Sequence, residues 1–321
     1  MHFYFVDLLR CVATTLITNS HYNEIWPVAA MATGGALGNT LFFAISGFCL
    51  SSVKNYSFFG WFKKRLLRIY PAVWIVTLIE FVFHNPSIHS AGDIITFFIY
   101  PTQFWFISAI VLFYVVFFII TKYCDDHLNT VIAAIALVYF GVYFLGLDRS
   151  AWIIEGSGYF KWIFYFEVML IAYSYKKASL KSSSNRSIPG LSIVLSLTVL
   201  LYFSFKLLIN KFAFLMNFQF IIHTISIVFM LECFEWGKAI EEQLKCESNS
   251  AWFKCVVWVG KMSLEIYLVQ TFVIRLFKTI VFPGNLFVTT LMILLLAFLL
   301  HCITGFISKC LKGGVSSDVK S

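Results

Sequence analysis

Long apolar runs, separated by short polar breaks, recur along the whole chain. Most of the runs are close to the ~20 residues that a helix needs to cross a bilayer. The pattern predicts an all-α polytopic membrane protein, a bundle of about ten transmembrane helices. Spans are expected at about 3–20, 30–52, 72–84, 128–146, 162–175, 189–209, 212–234, 256–281 and 286–308. The remaining run, 94–121, is too long for one straight span, and Pro101 is expected to divide it into an interfacial helix and a spanning helix. Glycines 34, 35, 38 and 47 in the second run allow helices to approach closely. Pro71 suits the first turn of the third span.

The polar breaks differ in charge. Lys54, Lys63, Lys64, Arg65 and Arg68 fall between the second and third spans, and Lys176, Lys177, Lys181 and Arg186 between the sixth and seventh. The alternate breaks hold few cations, chiefly Arg149, Lys161 and Lys211. The positive-inside rule then puts both termini in the cytoplasm, 54–68 and 176–186 inside, and 85–93 and 148–161 outside. His21 is expected near the outer face. The longest polar stretch, 235–254, reads as an amphipathic surface helix, and the tail after 308 as disordered. This gives one transmembrane domain, 1–308, and a short cytoplasmic tail, 309–321. The apolar run at the start lacks a basic n-region and a small-x-small site, so no cleaved signal is expected.

Composition agrees. Of 321 residues 60% are hydrophobic and 12% charged, with mean hydropathy +0.84, against about 25% charged in soluble domains. The net charge of +8 is accounted for by short loops between spans, so it signals topology and not nucleic acid. The eight cysteines, Cys11, Cys49, Cys124, Cys233, Cys246, Cys255, Cys302 and Cys310, form no CxxC and no Cys/His cluster. Neither a disulfide framework nor a metal site is expected.

The first run carries the chemistry. Arg10 lies in its body and His21 near its far end. A charge inside a membrane helix costs roughly 2.5–3.5 kcal/mol on insertion scales. Eleven residues at ~100° each come to about 20° past three turns, so a continuous helix would put Arg10 and His21 on one face, ~16 Å apart along the axis. An imidazole is the side chain best matched to taking a hydroxyl proton near neutral pH. The plainer alternative for His21 is a helix-end histidine bonded to a headgroup or backbone. Glu24, one turn on, is a candidate to fix its tautomer.

Arg65 and Arg68, at i, i+3, occupy neighbouring positions of one helix face. Their forks suit bidentate phosphate binding, and simple anchoring to headgroups explains them equally. The stretch FFAISGF at 42–48 suits close packing, and Trp105 suits a membrane interface. The span after Gly260 is unusually polar, with Lys261, Glu265, Gln270 and Arg275. Lys261 and Glu265, at i, i+4, can neutralise each other. His223, among apolar residues, reads as a satisfied core histidine.

Together these stretches resemble the acyltransferase-3 family of integral membrane acyltransferases, which O-acylate bacterial surface carbohydrates. The likeness is collinear along nearly the whole chain. It runs through R-x10-H at Arg10 and His21, LFFAISGFCLS at 41–51, WFKKRLLRIYP at 61–71, FWF at 104–106 and Gly260, Ser263, Tyr267 and Leu268 of GxxSxxxYL. Trp61 stands where the pattern has phenylalanine, and Gln270 where many members have histidine.

The resemblance implies acyl-CoA as cytosolic donor, with acetyl-CoA the expected one, and a sugar hydroxyl as acceptor. His21 and Arg10 become the catalytic residues, and Arg65 and Arg68 the donor-binding ones, with no metal. CoA phosphates would dock on Arg65 and Arg68, and the pantetheine would thread inward past Arg10. The expected enzyme is an O-acetyltransferase of the bacterial inner membrane, acting on a sugar of a lipopolysaccharide O-antigen, capsule, exopolysaccharide or lipid-linked precursor. Its partners would be acyl-CoA, the carbohydrate acceptor and membrane lipids, with no nucleic acid. The rival class is a transporter or flippase for a lipid-linked sugar, which intramembrane charges and glycine-rich spans would serve equally. A scaffold without chemistry leaves the Arg10/His21 register unexplained.

Overall fold

The computed structural model describes residues 2–50, 53–84, 90–154, 156, 158–179 and 187–315. Among them the chain is helical, with short 3-10 or π turns and no strand. The helices are α1 (Tyr4–Ser20), α2 (Gly35–Cys49), α3 (Phe58–His84), the short α4 (Ala91–Ile94), α5 (Trp105–Tyr123), α6 (Leu128–Gly141) and α7 (Phe160–Ser179). They continue with α8 (Ile188–Lys211), α9 (Phe220–Ala239), the short α10 (Glu241–Cys246), α11 (Ala251–Lys261), α12 (Ser263–Phe277) and α13 (Gly284–Val315).

Seven helical stretches among the described residues are long and apolar enough to cross a membrane: Ala29–Cys49, Phe58–Phe83, Trp105–Tyr123, Asp125–Gly146, Ile188–Lys211, Phe220–Ala239 and Gly284–Lys309. The pair α11 and α12, bent by 72°, makes an eighth if taken as one broken span. The protein is therefore an all-α, multi-pass membrane protein. The other two expected spans are present as helices of a different kind. At 17 residues α1 is short, and α7 carries Lys161, Glu167, Lys176 and Lys177.

Several local expectations are corrected. The basic stretch 58–68 is not a loop but the first part of α3, a 27-residue helix with Pro71 in its interior. Pro71 removes one N–H, which leaves the Leu67 carbonyl without its usual partner; the side chain is buried, so packing holds the helix through the gap. The polar stretch 235–254 is not one surface helix; it is divided among the end of α9, α10, a 3-10 turn and the start of α11. The helix α13 continues to Val315, past the point where the tail was expected to begin. The expected loop 85–93 and linker 176–186 fall partly on 85–89 and 180–186, which lie outside the described residues.

The chain divides into two compact units. The first comprises Met1–Ile17, Gly34–Ser52 and Ile120–Gly260. Its tightest contact is between α2 and α7. A Cβ on Gly47 would lie 2.0 Å from the Met169 carbonyl oxygen, so only glycine permits the two backbones to meet there. Gly237 likewise admits the ring of Phe5, which joins Phe48 and Phe234 in an aromatic cluster. Both carboxylate oxygens of Glu241 accept the free N–H groups of Tyr4 and Phe5, at 2.9 and 2.8 Å. An acidic side chain thus caps the start of α1. His223 is buried, its Nδ1 2.7 Å from the Tyr139 hydroxyl and its ring stacked on Phe164 at 3.7 Å. It is the core histidine that its apolar surroundings predict, but it is satisfied only in part: Nδ1 is bonded, whereas Nε2 is buried without a hydrogen-bond partner among the described residues.

The second unit comprises Thr18–Thr33, Val53–Ile119 and Lys261–Ser321. Here α3 packs on α12 and α13, and Trp61 near its start is set among Tyr114, Phe117 and Phe118. On α12, Glu265 is paired not with Lys261 but with His301 of α13, at 2.8 Å. The break at Met262 puts Lys261 on the other side of the bend, which defeats the i, i+4 pairing.

Candidate functional site

The second unit contains a recess of about 360 Å³, and His21 opens into it. One wall is α3, through Thr77, Glu80 and Phe81. The stretch leading into α5 supplies Gln103, Phe104 and Trp105, and α12 supplies Tyr267, Thr271 and Arg275. Three motifs separated by up to some 250 residues of sequence thus converge: the R-x10-H histidine, the FWF aromatics and the tyrosine of GxxSxxxYL.

Each wall is fixed by identifiable contacts. The Gln103 amide donates to Thr77 Oγ1 and to the Phe97 carbonyl, both at 3.3 Å. The Phe106 backbone N–H donates to the Tyr267 hydroxyl at 3.4 Å, and the two rings lie 5.5 Å apart. Trp74 on α3 donates to the Phe98 carbonyl at 2.8 Å, and Tyr70 to that of Ile99. These bonds tie the 95–106 segment to α3 and α12.

His21 sits just past the end of α1, in the connection before the next span, and its backbone N–H donates to Thr18 at 3.1 Å. The turn that carries it is pinned from several sides. Asn19 donates to the carbonyls of Met31 and Thr33 and accepts from Trp26 Nε1, each at 2.9 Å. Asn285 donates to the Ile25 carbonyl at 2.8 Å, and the Tyr22 and Thr290 hydroxyls lie 3.0 Å apart. Glu24 does not orient the histidine; it forms an ion pair with Lys278 at 2.9 Å. Protein packed around the imidazole strips enough water from it to lower its pKa below the ordinary histidine value, although part of its surface stays open. Near pH 7 the ring is therefore neutral, the form that can accept a proton.

Arg65 and Arg68 lie on the same helix as the α3 wall. Arg65 is half-buried, its guanidinium 5.3 Å from the Trp61 ring centroid, and Arg68 is exposed. Their i, i+3 spacing is realised as a neighbouring pair on α3. From Arg65 to Thr77, α3 rises about 18 Å.

Arg10 belongs to the first unit. Its guanidinium donates to Asp7 Oδ1 and Cys49 Sγ, both at 3.2 Å, and Asp7 also faces His2 at 3.1 Å. Gly260 packs against the backbone of Asp7 and the Cβ of Arg10; a Cβ there would lie 3.0 Å from the Asp7 carbonyl oxygen, a tight contact that a side chain could keep only if its neighbours shifted. Among the described residues no group of three His, Cys, Asp or Glu side chains is arranged to hold a metal.

The residues that sequence reasoning did not single out are Thr77, Glu80, Gln103 and Thr271 in the recess, and Asn19, Lys278 and Asn285 behind it. Only the unusual polarity of 256–281 hinted at Arg275.

Comparison with known proteins places this architecture. The acyltransferase-3 family model, described as an acyltransferase domain, matches residues 3–308. Over 115 residues the chain is 32% identical to the peptidoglycan O-acetyltransferase OatA of Listeria monocytogenes, a stretch that is 32% of this chain and 18% of that protein. It is 28% identical over 115 residues to YrhL of Bacillus subtilis, provisionally named as the same kind of enzyme, covering 32% of this chain and 17% of that one. The chain thus spans less than a fifth of the length of either relative. No solved structure matches it.

Proposed function

The chain belongs to the acyltransferase-3 family of membrane acyltransferases, and on that premise we propose that it is an O-acetyltransferase that moves an acetyl group from acetyl-CoA to a sugar hydroxyl. The acceptor in this reading is a bacterial surface polysaccharide or its lipid-linked precursor, and the setting is the inner membrane. The relatives named as peptidoglycan O-acetyltransferases support acetyl as the group transferred.

The observation that carries the proposal is the continuity of α3. One helix bears a neighbouring pair of arginines suited to the phosphates of CoA and, about 18 Å along, a wall of the recess that holds a neutral histidine. The donor is held by Arg65 and Arg68, and its acyl end reaches the recess. The acceptor lies in the recess, where aromatic faces and Thr77, Gln103 and Thr271 suit a sugar. His21 takes the proton from the acceptor hydroxyl as the oxygen attacks the thioester carbonyl. The tetrahedral adduct then expels the CoA thiolate, which takes up a proton, and the acceptor leaves as its acetyl ester. If His21 instead attacked the thioester itself, the same residues would pass through an acyl-histidine. Arg10, with its guanidinium fixed by Asp7, is assigned to donor positioning by its charge.

The test is release of free thiol from acetyl-CoA by purified protein with and without an acceptor oligosaccharide. Acceptor-dependent thiol release, with one acetyl ester formed per thiol, supports the proposal. Movement of a lipid-linked sugar across a vesicle membrane without thiol release would replace it with the transporter reading.

A further inference from the structure

The recess that holds His21 also holds Arg275, in the last turn of α12. Arg275 is exposed, and its guanidinium has no hydrogen bond or ion pair among the described residues, whereas Glu80, the carboxylate lining the same recess, has an interaction of its own. Glu24, three residues past His21 in sequence, is paired with Lys278, three residues beyond Arg275. The C-terminal end of a helix tolerates a cation, which accounts for the presence of Arg275 but not for its place on the lining of a recess with a base. A guanidinium is a fork built for two-point binding of an oxyanion.

We propose that the recess selects an acceptor sugar bearing an anionic group, a carboxylate or a phosphate, which Arg275 binds while His21 takes the hydroxyl proton. The inference rests on the reading of this recess as the acceptor site. The charge on the acceptor then adds binding that a neutral sugar lacks, so Arg275 sets which acceptors are preferred.

The test uses the full chain in detergent with three probes: methyl glucuronide, glucose 1-phosphate and neutral methyl glucoside. Binding is read by saturation-transfer NMR and transfer by thiol release from acetyl-CoA. The wild type is expected to bind an anionic probe in preference to the neutral one, and the better of the two anions identifies the group as carboxylate or phosphate. Arg275→Gln should weaken that probe by roughly tenfold to a hundredfold, in KM and not in kcat. It should leave methyl glucoside unchanged, and Arg275→Lys should restore part of the loss. Equal binding of neutral and anionic probes by the wild type, or an equal loss for all three in Arg275→Gln, would overturn the anion preference while transfer continued. Anion-selective binding that depends on Arg275, with no thiol release for any probe, would keep the preference and overturn acetyl transfer.

Discussion

Two histidines, one in each unit, sit in opposite settings. His223 in the first unit is enclosed, hydrogen-bonded to Tyr139 and stacked face to face on Phe164. His21 in the second unit opens into a recess, and bonds from Asn19, Asn285 and Lys278 hold its turn and not its ring. Polar pairing occurs in both units, and the recess lies in the second. In the first, Asp125 is matched with Lys177 at 3.0 Å and Tyr173 at 3.1 Å, and Glu241 with the start of α1. In the second, His21 and Arg275 are turned toward a space that a molecule can enter. A histidine enclosed among aromatic rings stabilises a fold; one that is held in place but left open can do chemistry.

The largest expected effect comes from exchanging alanine into each histidine. His21→Ala should lower acetyl transfer by roughly 10²–10⁴-fold, the usual loss for a missing general base, with no change in Tm. His223→Ala should do the reverse. It removes a large buried ring and leaves the Tyr139 hydroxyl without its partner, a loss of about 3 kcal/mol or more that thermal unfolding in detergent would record. Equal loss of Tm in both variants would erase the distinction.

Gly47→Ala tests the first unit alone. The new methyl meets a backbone oxygen at 2.0 Å, so α2 and α7 must separate, at roughly 1–3 kcal/mol for overpacking. A wild-type Tm would show that the two backbones do not meet there. Of similar size is the effect of the α3 pair. Arg65→Ala and Arg68→Ala should each weaken acetyl-CoA binding by about 1.5–3 kcal/mol, the value of a charge-assisted hydrogen bond. Lysine should recover only part of it, because the bidentate fork is lost. Unchanged donor affinity in both alanine variants, measured by titration calorimetry, would reduce the pair to headgroup anchors.

The smallest effect is a displacement along the pH axis. The base is the neutral imidazole, which is the dominant form above its pKa. Because the His21 pKa lies below 6.5, kcat/KM should stay level through neutrality and fall only as pH drops under that value. An acid limb centred above 6.5 would point to a different titrating group.

How much of this was legible in the sequence follows from what each signal depends on. Helix content and membrane character depend on long apolar runs, and they read directly. The role of α3 did not, because KKR beside a proline looks like a loop; packing carries the helix through Pro71. The break in the ninth span falls at Met262, two residues after Gly260, and a lone glycine inside an apolar run does not by itself announce a bend. Partners far apart in the chain left no periodic trace: Glu265 lies 36 residues from His301, and Glu24 pairs with a lysine on the far side of the sequence. His21 was visible through its R-x10-H spacing, and the FWF and Tyr267 motifs through their likeness to a family. That they line one recess depends on the 95–106 segment being tied to α3 and α12, which no window of sequence contains.

The central claim is that the donor is held on α3 while His21 handles the acceptor proton in the recess. Acetyl-CoA binding and acetyl transfer, measured on one preparation of His21→Ala, test it most directly. The account predicts donor affinity within about twofold of wild type and transfer reduced at least about a hundredfold. Transfer that falls only in proportion to lost donor binding, or that persists near the wild-type rate, would contradict it.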